Sequence, residues 1–214
     1  MADVTILDIL TPATDFDLIT LEEAKIGLGL SLTTVDPVLD QQLQFLISTQ
    51  SAVVADMCGR VFARQEVIES WREIRTDNRG RRVFLTQYPA KAADIESVSS
   101  NGTALASTDW EFEEKPGKLS YYPGFDEPAV IAYTGGYNLP DEAPPALKQA
   151  AISMVREQRR QIMLGNLEGI RSLSHKSARV QFYDPTKLMA MGVGGTAAEQ
   201  AVSRLLRPFM RYWV

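Results

Sequence analysis

The feature that most constrains this chain is a change of hydrophobic period. Apolar residues recur at helical spacing across residues 20–59, give way to short strand-like runs over residues 61–137, and return to helical spacing from about 145 to 165. Helices flanking a region of short runs rich in Val, Ile, Phe, Tyr and Trp, separated by turn signals, predict an α+β chain with a meandering antiparallel sheet in its middle.

The helical stretches carry their own punctuation. Thr20-Leu21-Glu22-Glu23 has capping-box spacing, so a short first helix opens there, with Leu21, Ala24 and Leu28 on one face and Gly27 and Gly29 weakening its end. Asp36-Pro37 starts a longer helix. Leu39, Leu43, Leu46, Ile47, Val53 or Val54, and Met57 mark its apolar face up to the stop at Gly59, and a core-packing role is the simplest account of that face. After Pro140 and Pro144-Pro145, Leu147, Ala151, Met154, Val155 and Ile162 predict a helix from Ala146 to about Leu164, ended by Gly165.

In the β-rich middle, Val67–Trp71 and Arg82–Thr86 read as strands joined through a turn at Asp77-Asn78-Arg79-Gly80. Asn101-Gly102 signals a hairpin because both residues tolerate positive φ, Lys115-Pro116-Gly117-Lys118 signals another reversal, and Val130–Tyr133 reads as a strand ending at Gly135-Gly136. Residues 166–183 look polar and irregular, with one possible strand at Ala178–Phe182. Met191–Gly195 reads as a hinge, and a last short helix runs from Ala197 to Leu206.

The chain then closes with Arg207-Pro208-Phe209-Met210-Arg211-Tyr212-Trp213-Val214, large apolar and cationic side chains with no acid among them. Such an end is either a docking peptide or a segment folded back on the chain's own core.

Composition excludes several function classes. With 22 Lys and Arg against 27 acids, a net charge of -5 and a pI near 5.0, general attraction to a phosphate backbone is not expected. Arg79, Arg81 and Arg82 flank a turn, and Arg156, Arg159 and Arg160 project from one helix. These patches leave a duplex-binding packaging accessory as the alternative, against pairing with nearby acids such as Glu157. One cysteine, Cys58, and one histidine, His175 in a loop-like segment, make an internal disulfide framework impossible and a zinc site unexpected. Glu111, Glu113 and Glu114 are better explained as the solvent side of a strand shared with Trp110 and Phe112 than as a catalytic carboxylate pair. The glycines of residues 191–196 lack the Lys-Ser/Thr ending of a phosphate-binding loop. No catalytic, cofactor-binding or metal-binding residues are assigned, and neither a secretion signal nor a membrane span is expected.

The order of parts resembles the phage head-to-tail connector family, the adaptors beneath the portal of long-tailed phages, prophages and gene transfer agents. The resemblance is carried by Leu18-Ile19-Thr20-Leu21-Glu22-Glu23-Ala24-Lys25, by Cys58-Gly59-Arg60-Val61-Phe62 and by Leu85 to Pro89. It continues in Ile131–Tyr137, the prolines before Ala146-Leu147-Lys148-Gln149-Ala150, and Leu206-Arg207-Pro208-Phe209. It implies an α-helical bundle with a β-rich antiparallel insertion and an extended C-terminal arm, residues 1–206 forming one adaptor domain and 207–214 the arm. It also implies a ring of about twelve copies, docked on the portal protein and receiving a stopper or tail-completion protein, with DNA passing through its channel unbound. The portal-binding residues carried over are Arg207, Pro208, Phe209, Met210, Arg211, Tyr212 and Trp213. The expected place is the head-tail interface of a virion, with the host cytoplasm as the site of assembly. The chain departs from smaller members in its long Arg64–Glu127 and Asn166–Gly195 stretches.

Overall fold

Strand β9 (Ala129–Gly135) is the spine of the β-rich region, and its alternating burial shows why. Ala129, Ile131, Tyr133 and Gly135 point into the core on every second residue, the period of a half-buried strand. The computed structural model describes residues 3–33, 36–74, 76–77, 80–115, 117–122, 124–164, 172–175, 178–181 and 197–210. The chain divides into two compact units, a β unit of residues 1–18 and 55–143 with Met210, and a helical unit of residues 19–54 and 144–209. The fold class is α+β, as the periodicity predicts.

The β unit holds two antiparallel sheets. One has five strands in the order β1-β2-β9-β5-β6: β1 (Asp3–Thr11), β2 (Gln65–Glu73), β5 (Ile95–Ser100), β6 (Thr103–Ala104) and β9. The other has four in the order β3-β4-β8-β7: β3 (Thr76–Asp77), β4 (Gly80–Phe84), β7 (Trp110–Glu113) and β8 (Lys118–Tyr121). A simple meander is therefore corrected: β2 pairs with β9, Val67 opposite Tyr133 and Ile68 opposite Ala132, far along the chain. Turn residues mark local hairpins, and the Asn101-Gly102 turn between β5 and β6 does have positive φ at both positions. They carry no information about which distant strand completes a ladder. Val67, Trp71, Val83, Leu85, Leu119, Phe125, Ile131 and Tyr133 form the core of this unit.

The Gly135-Gly136 pair is required by close backbone approach. A Cβ on Gly135 would lie 2.1 Å from the Gln87 carbonyl oxygen, and one on Gly136, at φ 107°, 2.5 Å from the Ala63 carbonyl oxygen. In the space so freed, the Gly136 N–H donates to Pro89 O and the Tyr137 N–H to Phe62 O, both at 2.8 Å. The loop after β4 is thereby held against the end of β9.

That loop is also anchored from beneath by a group the sequence did not announce. Glu69, on β2, is fully buried, and its carboxylate accepts from the Thr86 N–H at 2.8 Å, from the Thr86 hydroxyl and from the Tyr133 hydroxyl. Tyr133 in turn accepts from the buried Gln87 N–H at 2.8 Å, and Gln87 Nε2 donates to Ala63 O at 2.6 Å. Burial and the neighbouring carboxylate push the Tyr133 phenol far up, so it stays a donor.

In the helical unit, α1 (Leu21–Gly27) opens with the expected capping box. The Glu23 N–H donates to the Thr20 hydroxyl at 3.1 Å and the Thr20 N–H to the Glu23 carboxylate at 3.0 Å. Asp36 caps α2 (Pro37–Cys58) through the N–H groups of Val38 and Leu39. The C-terminal end of α2 closes in a Schellman motif: Gly59 has φ 63°, its N–H donates to Asp56 O, and the Arg60 N–H donates to Ala55 O. α3 (Pro145–Leu164) packs on α1 and on α4 (Ala197–Leu206), burying Leu147, Ala150, Ala151, Val155, Val202 and Leu206. Ion pairs Lys25–Asp40 at 2.5 Å and Lys148–Glu23 at 2.6 Å tie α1 to α2 and α3. Gly27 has no room for a side chain, since a Cβ there would meet Ile152 at 2.5 Å.

Candidate assembly surfaces

Three surfaces bear on function, and none has the geometry of an active site. The first is the C-terminal segment. α4 ends at the fully buried Leu206, after which the Arg207 N–H donates to Ser203 O at 3.0 Å and the Phe209 N–H to Leu206 O at 2.8 Å. Arg207 and Pro208 are exposed, while Phe209 and Met210 are half-buried. Arg211, Tyr212 and Trp213 lie outside the described residues, as does the expected hinge at 191–195.

The second surface is a groove beside the apolar face of α2, formed largely by residues the sequence reading did not single out. The apolar face of α2 does bury Leu43, Leu46, Ile47 and Val54, but Val53 and Met57 are on the exposed side. Val38 and Phe45 are exposed too, Phe45 by 71%. With Thr49 from α2 and Arg159, Ile162 and Met163 from α3, they line a groove of about 820 Å³. From Val38 to Ala55 the only charged residue is Asp40, already paired with Lys25. An exposed helix face without charge is the signal that periodicity alone missed.

The third is β1, an edge strand that among the described residues pairs with β2 alone. Leu7, Ile9 and Leu10 on it, and Phe16 just after it, are all exposed. This strand was not foreseen, because its apolar residues do not alternate as a half-buried strand's would.

The residues weighed for chemistry are dispersed. Glu111 and Glu113 face outward from β7 while Trp110 and Phe112 pack on the core, the alternation expected, and Glu113 pairs with Lys118 across the hairpin. His175 falls on a strand, β10 (Ser172–His175), paired with β11 (Ala178–Gln181), which corrects the loop-like reading of that region. β11 stands where the possible strand at Ala178–Phe182 was expected, and only its partner β10 was missed. Cys58 is buried, and burial pushes its thiol up against the opposing pull of Arg60. The Arg60 guanidinium lies over the Tyr88 ring at 3.5 Å and the Phe62 ring at 5.0 Å, which makes it a structural contact. Among the described residues no three His, Cys, Asp or Glu side chains come together as a metal site, and no helix is long and apolar enough to cross a membrane.

The basic patches divide. Arg160 pairs with Glu157 at 2.5 Å, as the local-pairing reading expected, and Arg156 donates to the Gly27 carbonyl. Arg82 lies on β4, Arg79 outside the described residues, and the Arg81 side chain is likewise not described.

The chain is a two-unit α+β fold with exposed apolar surfaces on both units. Solved structures share the fold. A chain from the neck of an empty GTA particle, computed with C6 symmetry, aligns with a TM-score of 0.58 at 14% identity, covering 98% of this chain and 97% of that one. A chain from the virion of a native gene transfer agent (GTA) particle gives 0.56 at 13%, with the same coverage. A chain from the neck of a native GTA particle, computed with C12 symmetry, gives 0.51 at 13%, again with 98% and 97% covered. No family model matches the chain, and no curated protein matches its sequence.

Proposed function

We propose that this chain is a structural, non-catalytic virion protein of the head-tail neck. It forms a ring of about twelve copies beneath the portal protein, connects the portal to a stopper or tail-completion protein, and leaves an axial channel through which DNA passes. The observation that carries this reading is fold agreement over 98% of the chain with chains from GTA necks.

Attachment is assigned to Arg207, Pro208, Phe209, Met210, Arg211, Tyr212 and Trp213. Aromatic and arginine side chains are the usual anchors of protein interfaces, and the exposed Arg207 and Pro208 begin the segment beyond a buried helix end. Repetition around a ring turns a weak single contact into a strong joint, because each added copy acts at high effective concentration. The domain reading follows: residues 1–206 supply the ring body and 207–214 the docking arm.

Removing residues 207–214 tests this reading. The truncated chain is expected to keep its circular dichroism spectrum while DNA-filled heads accumulate without tails. Normal yields of tailed particles carrying the truncated chain would refute the docking role.

A further inference from the structure

The groove on the helical unit and the exposed N-terminal segment are complementary in both charge and character. The first 24 residues hold six acids and no Lys or Arg, whereas α3 at the groove holds four Lys and Arg against one acid. Within the acidic segment, Leu7, Ile9, Leu10 and Phe16 are exposed at 43–51% and lie beside Asp8 and Asp15. The groove presents the converse. Val38 and Phe45 of α2 and Ile162 and Met163 of α3 form an exposed apolar floor with Arg159 in its lining, while Arg156 on the same helix turns to the Gly27 carbonyl and Arg160 pairs with Glu157.

From this complementarity we infer that the α2–α3 groove of one copy receives the Leu7–Asp17 segment of a second copy, with Phe16 as the apolar anchor and the flanking acids facing Arg159 of α3. The inference rests on the ring reading and names the contact that builds the ring. An uncharged centre with a charged rim is the usual anatomy of a protein interface. Charge also selects the mode of association. Groove against groove would oppose arginines and segment against segment would oppose carboxylates, so only the head-to-tail pairing of unlike surfaces is favoured. That pairing leaves a groove free at one end of a growing chain and a segment free at the other, as ring closure requires. The free edge of β1 lies within the same segment and supplies unpaired main-chain groups to the contact.

Two blocking variants test this on the full-length chain. Phe45→Glu puts an acid in the groove, and Phe16→Lys puts a cation on the segment; both positions are solvent-exposed, at 71% and 51%, so folding is retained and is checked by circular dichroism. Sedimentation equilibrium is run up to about 1 mM protein, first at low salt and then at about 0.5 M, where exposed charge pairs are screened. The wild-type chain is expected to self-associate at low salt, with at least about tenfold weaker association at high salt. Each variant alone is expected to stay monomeric, while their equimolar mixture forms a heterodimer that grows no further, since one partner keeps the segment and the other the groove. A wild-type chain that is monomeric at low salt, variants that associate as the wild type does, or a mixture that fails to pair would each overturn the inference. The neck reading is scored separately, by whether the chain is present in purified particles, so the two can fail independently.

Discussion

Replacing Tyr133 by Phe removes one oxygen from the most tightly connected polar cluster in the β unit. The lost hydroxyl donates to the buried Glu69 carboxylate and accepts from the Gln87 N–H at 2.8 Å, in a place where Tyr133 is fully buried and Gln87 is 4% exposed. A hydrogen bond to a charged group contributes about 1.5–3 kcal/mol, and an orphaned buried donor costs about 1–3 kcal/mol. The two terms overlap, because Thr86 still donates to Glu69, so the net loss is expected near 3 kcal/mol. Tyr121→Phe is the control: its ring contact with Phe125 at 5.5 Å survives the change, and the expected loss is under about 0.5 kcal/mol. Urea unfolding followed by tryptophan fluorescence reads both, the m-value serving to show that the exposed surface is unchanged. A Tyr133→Phe loss no larger than that of Tyr121→Phe would refute the idea that this cluster holds the loop after β4.

Two further outcomes follow from titrating groups. Cys58 is expected to resist alkylation in the folded chain and react at an ordinary rate in urea, since burial both hides the thiol and raises its pKa; equal rates in the two states would contradict its placement. Burial alone would push the Asp94 carboxyl up, but the Lys91 N–H at 2.9 Å and the Arg64 guanidinium at 2.8 Å outweigh it and hold the group below its ordinary value. A lowered folded-state pKa contributes stability that is present above the unfolded value and is lost as pH falls through the folded one. Arg64→Ala therefore moves the acid-unfolding midpoint toward neutral pH, and an unmoved midpoint would mean that the pair adds nothing.

What could be read from the sequence is what depends on local chemistry. The Thr20 capping box, the Asp36-Pro37 start, the Gly59 stop and the Asn101-Gly102 turn each need only a few neighbouring residues, and each stands where its residues put it. Pairing of β2 with β9, the buried Glu69 and the Gly135 contact with Gln87 are long-range facts, and single-strand patterning does not encode them. Met57 was misread for a related reason. Periodicity reports how apolar residues are spaced around a helix, while which of them find a partner is decided by the rest of the fold. Val54 of the Val53 or Val54 pair is buried, whereas Met57 is 42% exposed. The C-terminal segment was conspicuous in sequence because an apolar, cationic stretch without acids is unusual, and its described part is exposed at Arg207 and Pro208 and half-buried at Phe209 and Met210.

Cryo-electron microscopy of particles produced by the source that encodes this chain is the most direct measurement. The account predicts a closed ring of this fold between portal and tail, with residues 207–214 of each copy seated against the portal. A neck in which no copy of this fold is present, or in which that segment touches only its own subunit, would contradict it.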